Sequence, residues 1–312
     1  MFLESQNFDI VRTALDTVFF QEFSYDMEEP GIATANTGDL FKVIRTEQQA
    51  YIGSINKPVG LFDVVGEVQS VPVDTPKVAN KYTIPVLDYA KKIVISKDLF
   101  DDNMHGVWAE NVKDFARKGR LTQDSNAFAL FRLSFTTTLT ADGVALISAS
   151  HTALGGSTIT NILTSNPVLT STSLNTAIVM LREQKDQTGT VIGGIPSILL
   201  VPSKLFKTAV ELTDSALIAD SANNAINVYR SAYGFKVYSS PFLGVAAGGS
   251  DTAWWLMSRN HSVSRLIRQG IETALTPWQY SNDRTYTYQA NFREAVFCPD
   301  YAGIVGSKGD AS

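Results

Sequence analysis

Four polar residues in one short stretch could together perform nucleophilic chemistry. Asp142, Ser148, Ser150 and His151 all lie within residues 142–151, and Ser, His and Asp are the groups that a serine hydrolase uses. In such enzymes the groups normally come from distant segments, and the sequence has no Gly-x-Ser-x-Gly turn to expose a serine. Polar residues in a Gly-, Thr- and Ser-rich connection more often make hydrogen-bonded turns. We therefore expect no enzyme here, with a hydrolase built on Ser148 or Ser150 and His151 as the alternative.

Residues that could bind a metal or a cofactor are dispersed. The histidines His105, His151 and His261 occur singly, so no zinc-ligand spacing exists. Cys298, between an aromatic residue and a proline, is typical of a small core residue. Residues 303–308 contain two glycines but lack the spacer and the following helix of a phosphate loop. The sequence predicts no metal site and no cofactor.

Composition limits the class of protein and its compartment. The chain has 312 residues, of which 44% are hydrophobic and 18% charged, and these values are typical of a folded protein with a substantial core. Its net charge of −5 does not favour a protein that neutralises nucleic-acid phosphates. The single cysteine fits a reducing cytoplasm. Acidic residues near the N-terminus argue against a signal peptide, and no apolar run approaches a membrane span.

The first segment predicts a helix with apolar residues on more than one face. Those at roughly helical spacing are Phe8, Val11, Leu15 and Val18, and the additional ones are Phe19, Phe20 and Phe23. A terminal helix with so much apolar surface usually docks on something. Two hypotheses remain open: an arm that reaches a neighbouring subunit through Phe19, Phe20 and Phe23, or a helix that covers its own core.

Residues 40–80 contain no convincing helix and are divided by several glycines and prolines. Glu67–Val73 is β-prone, and Tyr82–Val86 alternates as a return strand would. A long two-stranded extension with little core is unstable alone and needs a surface to lie on. We expect Leu61 and Phe62, within this extension, to contact another subunit.

A long helix is predicted next. Its apolar stripe consists of Trp108, Val112, Phe115, Ala127, Leu130 and Phe131. The helix could reach ~25 residues, and a break is expected near Gly119, where glycine costs roughly 1 kcal/mol. A helix of this length in a mixed domain would serve as a support for a sheet.

The second half of the chain has α/β character. Ser173 and Ser203 each precede an apolar helical pattern and are expected to cap a helix, and Gly189 is expected to end the first one. Ile198–Val201 is a continuous apolar run typical of a strand buried on both faces. Residues 285–293 alternate between apolar and polar, which predicts an antiparallel strand with one covered face.

Two adjacent tryptophans, Trp254 and Trp255, follow later in the chain. Neighbouring residues of a strand point to opposite faces of its sheet. We expect one indole in the core and the other at an interface.

The order of several short pieces resembles a known family. These are 142–151, Gly155-Gly156, Ser165-Asn166-Pro167, Ile198–Pro202, Asn223–Asn227, Tyr238–Leu243, Asp251–Trp255 and Asp300–Ser307. Together they resemble the major capsid protein of tailed bacteriophages with the HK-97 fold, most closely the Mu-type head-subunit branch. The pieces span more than half of the chain.

The resemblance implies an α+β, HK-97-like fold with five parts. These are an N-terminal arm (1–39), an extended β loop (40–82), a peripheral domain with a long spine helix (83–170), an axial α/β domain (171–270) and the return strands of the peripheral domain (271–312). In this family the extended loop lies across the adjacent subunit. Lys57, near the tip of that loop, lies where some members carry a crosslinking lysine, although a solvated turn is the simpler interpretation.

The implied function is self-assembly into hexamers and pentamers of an icosahedral head that encloses double-stranded DNA. The implied partners are copies of the chain and scaffold, portal and decoration proteins, with DNA enclosed without sequence-specific binding and no membrane. The subunit would be assembled in the host bacterial cytoplasm and reside in the virion. An encapsulin-like compartment shell, which shares the fold, is the alternative.

Overall fold

A computed structural model of the chain describes residues 2–24, 31–56, 59–67, 69–74, 78–98, 105–153, 156–216, 226–280 and 283–310. The helices are α1 Phe2–Ser24, α2 His105–Arg132, α3 Ser171–Arg182, α4 Phe206–Asp214 and α5 Val228–Ala232. The strands are β1 Lys42–Arg45, β2 Ala50–Asn56, β3 Val78–Pro85, β4 Leu87–Ser96, β5 His151–Thr152, β6 Thr158–Ile159, β7 Pro196–Pro202, β8 Lys236–Ser240, β9 Trp254–Ser258, β10 Ser264–Thr276, β11 Thr285–Phe297 and β12 Ile304–Ser307. This mixture confirms the expected α+β class.

The first sheet has the strand order β1-β10-β11-β4. β11 pairs antiparallel with both β10 and β4, and β1 runs parallel to β10. The alternation predicted for 285–293 is confirmed, since Tyr288, Ala290 and Phe292 are buried. The buried face packs against α1 and the first half of α2.

The second sheet has the order β12-β9-β7-β8. β7 lies inside it, with β8 parallel on one side and β9 antiparallel on the other, so the continuous apolar run is buried as predicted. The expectation that one tryptophan lies at an interface was wrong, because both faces of β9 are covered by this chain. Trp254 packs in the layer that holds α3, and Trp255 packs against Phe131 of α2. Each indole N–H is satisfied, by Pro167 O at 3.1 Å and Ser134 Oγ at 3.0 Å.

Helix α2 connects the two cores. Its first half contributes Trp108, Val112 and Phe115 beneath the first sheet, and its last turns contribute Phe128 and Phe131 to the core of the second. The helix continues through Gly119 without the predicted break. Its single apolar stripe is long enough for both sheets to pack along it.

Three predicted boundaries differ from the structure. The N-cap of α3 is Thr170, and Ser173 is its third helical residue, the two side chains bonding reciprocally in a capping box. Gly189 lies in the turn after the helix, which ends at Arg182. Ser203 begins a single 3₁₀ turn, and α4 starts at Phe206 without a side-chain cap. The pattern located these helices, but hydrogen-bond geometry set their ends.

The C-terminal strand β12 lies in the second sheet rather than with the return strands expected for 271–312. It pairs with β9, with Ile304 opposite Met257 and Ser307 opposite Trp254. Ile304 and Val305 are both fully buried, one in each of the two layers that cover this sheet. The burial of two adjacent apolar residues explains the placement.

Residues 31–41, called the strap below, tie α2 to both sheets. Ala35 N–H donates to Asp124 Oδ1 on α2 at 2.7 Å, and Ala35 O accepts from Arg265 Nη1 on β10 at 3.2 Å. Arg265 also forms a buried ion pair with Glu294 at 2.6 Å. Ala33 N–H donates to Ser239 O on β8 at 2.8 Å. The strap therefore fixes the relative position of the two sheets.

A buried histidine, His261, binds the end of the strap. It is expected to make the free energy of unfolding depend on pH. His261 Nε2 donates to Asp39 O at 2.8 Å, Nδ1 accepts from Val263 N–H, and Lys42 Nζ donates to His261 O. Burial, together with Lys42, lowers the pKa of His261. The folded state therefore binds the proton less readily, and stability falls as the pH drops below the unfolded histidine pKa of about 6.5.

The measurement is urea unfolding of wild type and of His261→Gln at several pH values from 7.5 to 5, with differences taken at each pH. Taking this difference cancels the contribution of Glu294, whose pKa is raised by burial and which acts in the opposite direction. We expect the advantage of wild type to shrink as the pH falls. A constant difference across this range would contradict the assignment.

Candidate assembly surface

The extended loop is a two-stranded antiparallel hairpin. The predicted return strand Tyr82–Val86 is confirmed as far as Pro85, as part of β3, but its partner is β2 and not the predicted Glu67–Val73. β2 pairs with β3 from Ala50 opposite Pro85 to Asn56 opposite Val78, with an irregularity beyond Ile55. Glu67–Val73, which the sequence indicated as a strand, forms neither helix nor strand in its described residues. The regular strands lie near the base of the hairpin, where they meet the body of the protein.

The end of the hairpin, residues 59–74, exposes many apolar side chains; 59–67 and 69–74 of it are described. The exposed ones are Val59, Leu61, Phe62, Val64, Val65, Val71 and Val73, and Phe62 is fully exposed. The same described residues carry Asp63, Glu67 and Asp74 and no basic side chain. A monomeric protein rarely leaves so many clustered apolar groups in water. The hairpin end is therefore the candidate assembly surface, with a negatively charged margin.

Burial of this surface on another molecule would be strongly favourable. Removing a Leu or Phe side chain completely from water contributes about 1.5–3 kcal/mol. Leu61 and Phe62, the two predicted contact residues on the described part of the loop, are both available for such burial. Lys57 lies outside the described residues.

The three phenylalanines of the predicted arm differ in their surroundings. Phe19 is fully buried, in contact with Phe115 and Tyr288, and so offers no surface to another subunit in this conformation. Phe20 is exposed and Phe23 is half-buried. In this structure α1 thus covers its own core, one of the two hypotheses that the sequence left open.

Polar contacts hold α1 in place as well. Asp16 Oδ1 accepts from Thr273 Oγ1 at 2.7 Å and from Tyr288 Oη at 2.8 Å. Glu22 forms an ion pair with Arg117 of α2 at 2.7 Å. These contacts position the helix along the groove between α2 and the first sheet, and leave Phe20 as the exposed member of the set.

The polar stretch that suggested a hydrolase does form an Asp–His pair. His151 Nδ1 lies 2.7 Å from Asp142 Oδ2, and the imidazole is fully buried and stacked on the Tyr301 ring at 4.2 Å. Burial alone would raise the pKa of Asp142, but hydrogen bonds from His151, Thr140 and Val144 N–H lower it overall. The carboxylate is therefore charged at neutral pH and holds the ring in place.

The serines are not part of that pair. Ser148 Oγ and Ser150 Oγ lie 3.1 Å from each other on the exposed surface. In the part of the chain that the structure describes, His151 Nε2 has no hydrogen-bond partner. A histidine that activates a nucleophile must bond to it through this nitrogen. Sequence proximity brought the Asp and His together, but the fold directs the serines elsewhere.

Other chemistry-bearing groups are buried in the core. Cys298 lies against Ser262 Oγ and Asp300 O, and burial raises the pKa of its thiol to about 12. Within the described ranges, no three His, Cys, Asp or Glu side chains converge as metal ligands would. No helix among those residues has the length and apolarity that crossing a bilayer requires.

Sequence reasoning found Leu61 and Phe62 but missed the five exposed valines around them. Val59, Val64, Val65, Val71 and Val73 lie in a Gly- and Pro-containing segment without helical or strand periodicity. The available signal was a run of apolar residues without helical or strand periodicity in an extension that has little core of its own.

Comparisons with known proteins identify the family of the chain and its fold. The model of a family described as phage capsid protein matches residues 81–307. No curated protein matches the chain significantly. Among solved structures, the capsid of a native GTA particle is similar with a TM-score of 0.54 and 15% identity, covering 91% of this chain and 94% of that one.

Two further structures share the fold. A structure of Microbacterium phage Oxtober96 is similar with a TM-score of 0.54 and 13% identity, covering 90% of this chain and 93% of that chain. A virus-like particle from Pyrococcus furiosus has a TM-score of 0.52 and 9% identity, covering 94% of this chain and 97% of that chain. At these identities the likeness extends to the fold, which is the HK-97-like capsid fold.

Proposed function

The chain belongs to the phage capsid protein family, as a phage major capsid protein, and we propose from this premise that its subunits form hexamers and pentamers of an icosahedral shell. It is a structural protein and a component of the virion. The observation that carries the proposal is the apolar end of the hairpin, residues 59–74, which no other described part of the chain covers. A second copy is the partner for which such a surface is suited.

The encapsulin-like alternative is not favoured. The fold alone does not separate the two kinds of shell, because both are expected to share it. The family match over residues 81–307 is to phage capsid proteins and therefore favours the phage shell.

We propose the domain division that the resemblance implied, with its boundaries adjusted to the two sheets. The hairpin remains the extended loop, and the first sheet with α2 forms the peripheral domain. The second sheet with α3 and α4 forms the axial domain, to which β12 is added because it pairs with β9. The strap (31–41) then belongs to both domains.

The binding partners other than copies of the chain, and the place of assembly, are also proposals. The negative charge of the chain supports enclosure of double-stranded DNA without tight binding. Scaffold, portal and decoration proteins, and assembly in the bacterial cytoplasm, follow from the family. We propose no enzymatic activity, since the Asp142–His151 pair is buried away from both exposed serines.

Assembly is expected to protect the hairpin end from hydrogen exchange. Amides of 59–74 lie outside regular structure and should exchange fast in free subunits and slowly once a neighbour covers them. Exchange is measured by mass spectrometry on unassembled subunits and on purified shells, with the central strand β7 as the internal control. Equal protection of 59–74 in both states would contradict the proposed contact.

A further inference from the structure

Three aromatic side chains meet where the hairpin joins the body. The ring of Phe297, the last residue of β11, lies 5.7 Å from that of Tyr51 on β2 and 6.0 Å from that of Tyr82 on β3. The two tyrosine rings are 6.3 Å apart. Phe297 is buried and belongs to the body, whereas the tyrosines belong to the hairpin. The cluster therefore joins two parts of the chain that could otherwise move separately.

The backbone alone does not fix the direction of the hairpin. β3 ends at Pro85, and β4 begins at Leu87, where it pairs with Glu294 of β11. Val86 N–H donates to Gln49 O at 3.1 Å, so both legs enter the body at the same level. Beyond that point β2 and β3 pair with each other, and a two-stranded ribbon bends and twists easily. Side-chain contacts at the base must resist that motion.

A glycine in β2 creates the space for one of these rings. Gly53 pairs with Tyr82 across the hairpin. A Cβ at position 53 would lie 2.3 Å from both Cζ and Oη of Tyr82, so the ring lies across the glycine. Glycine inside a strand normally weakens it, and such a position often marks a close approach. An aromatic side chain across a strand glycine restores the lost packing.

We propose that Tyr51, Tyr82 and Phe297, with the ring of Tyr82 seated on Gly53, are positioning residues that fix the direction in which the hairpin projects. A strand rises about 3.4 Å per residue, so a small tilt at this joint becomes a displacement of several ångströms at 59–74. A hairpin held in one direction presents the assembly surface without an ordering cost at each contact. This inference rests on the proposed assembly function.

The joint is tested by measuring the hairpin direction in unassembled subunits. Spin labels are attached through Ser70→Cys at the hairpin end and Lys118→Cys on α2, both exposed positions. Cys298 can remain, because it is buried and its pKa is raised to about 12. Labelled subunits are diluted with unlabelled ones, and the distance distribution is recorded by pulsed electron paramagnetic resonance in the otherwise wild-type chain and in variants.

Gly53→Ala should displace the Tyr82 ring, and Tyr82→Leu should remove it. Both are expected to convert one narrow distance peak into a broad distribution, and combining them should add little, because they remove the same contact. The matched control is Gly66→Ala, in the same hairpin, where the nearest atom to an added Cβ is Gln69 Oε1 at 3.9 Å. It should keep the narrow peak. A narrow distance peak in Gly53→Ala, or a broad distribution in wild type, would contradict the proposal that these aromatic residues fix the hairpin direction.

The consequence for assembly is measured separately by counting closed shells in electron micrographs. Gly53→Ala is expected to give several-fold fewer closed shells than wild type and than Gly270→Ala in β10, which lies outside the assembly surface and where an added Cβ meets nothing within 4 Å. The unfolding midpoint of Gly53→Ala in urea should stay close to that of wild type. A broad distance distribution with an undiminished yield of shells would overturn the positioning role. If wild type itself forms no shells, the proposed function fails, while the distance measurement still decides whether the joint exists.

Discussion

Replacing Leu61 and Phe62 together by serine is expected to abolish closed shells and to leave the subunit folded. Both side chains are exposed in the subunit, Phe62 fully, so the free energy of unfolding should change by no more than about 0.5 kcal/mol. On a neighbour, each buried side chain would contribute about 1.5–3 kcal/mol. Each 1.4 kcal/mol is roughly a tenfold change in an association constant, and every subunit of a shell repeats the loss.

Sedimentation and negative-stain electron microscopy measure the yield of shells, and urea unfolding measures the stability of the subunit. Phe62→Leu is the matched control, because it keeps an apolar group of similar reach and should assemble. Wild-type yield from the double serine variant would show that the hairpin end is not an assembly surface. Loss of stability parallel to loss of yield would show instead that these residues support their own subunit.

His151→Ala should destabilise the subunit strongly without removing any chemistry. The change leaves a cavity beside the Tyr301 ring and takes away the side-chain partner of the buried Asp142 carboxylate. These two effects together should cost about 2–4 kcal/mol, although Thr140 and Val144 still bond to the carboxylate. The fall in Tm should be roughly 3–6 °C for a chain of this length.

Ser148→Ala is the matched control from the same stretch. Its side chain is exposed and bonds mainly to Ser150, so stability should stay within about 0.5 kcal/mol of wild type. Shell yield should follow stability in both variants. Labelling of Ser148 or Ser150 in wild type by a serine-directed probe, lost in His151→Ala, would restore the hydrolase hypothesis.

The stretch 142–151 shows that closeness in sequence can predict one contact of a residue but not another. Asp142 and His151 are nine positions apart, and a turn of that length can bring them together, as the 2.7 Å contact confirms. The tyrosine that stacks on the imidazole comes from position 301. No local pattern predicts that contact, because the segment that carries Tyr301 is held here by residues distant in sequence, among them Gln184 and Ala141. Burial of His151 beneath that ring is thus a tertiary property.

Local periodicity by itself determined the regular elements that have one buried face. The stripe on α2, the face of α3 and the alternation of 285–293 all follow from repeats of 3.6 or 2 residues, and all were confirmed. The same reasoning gave the buried strand at Ile198–Val201 and predicted no helix between 40 and 80, where the described residues form none. Together with the order of motifs, these elements were sufficient for the fold class and the family.

Tertiary structure alone decided what covers each element. Trp254 and Trp255 are both buried because other parts of the chain pack on each face of the second sheet. The sequence of the strand alone does not show whether one or both faces of its sheet are covered. Phe19 was buried because α2 and β11 form a groove for α1 from segments about a hundred and more than two hundred and fifty residues away. The hairpin register and its joint at Phe297 also depend on distant segments. Each of these contacts gains its free energy only once the chain has closed a long loop, so no short-range pattern records it.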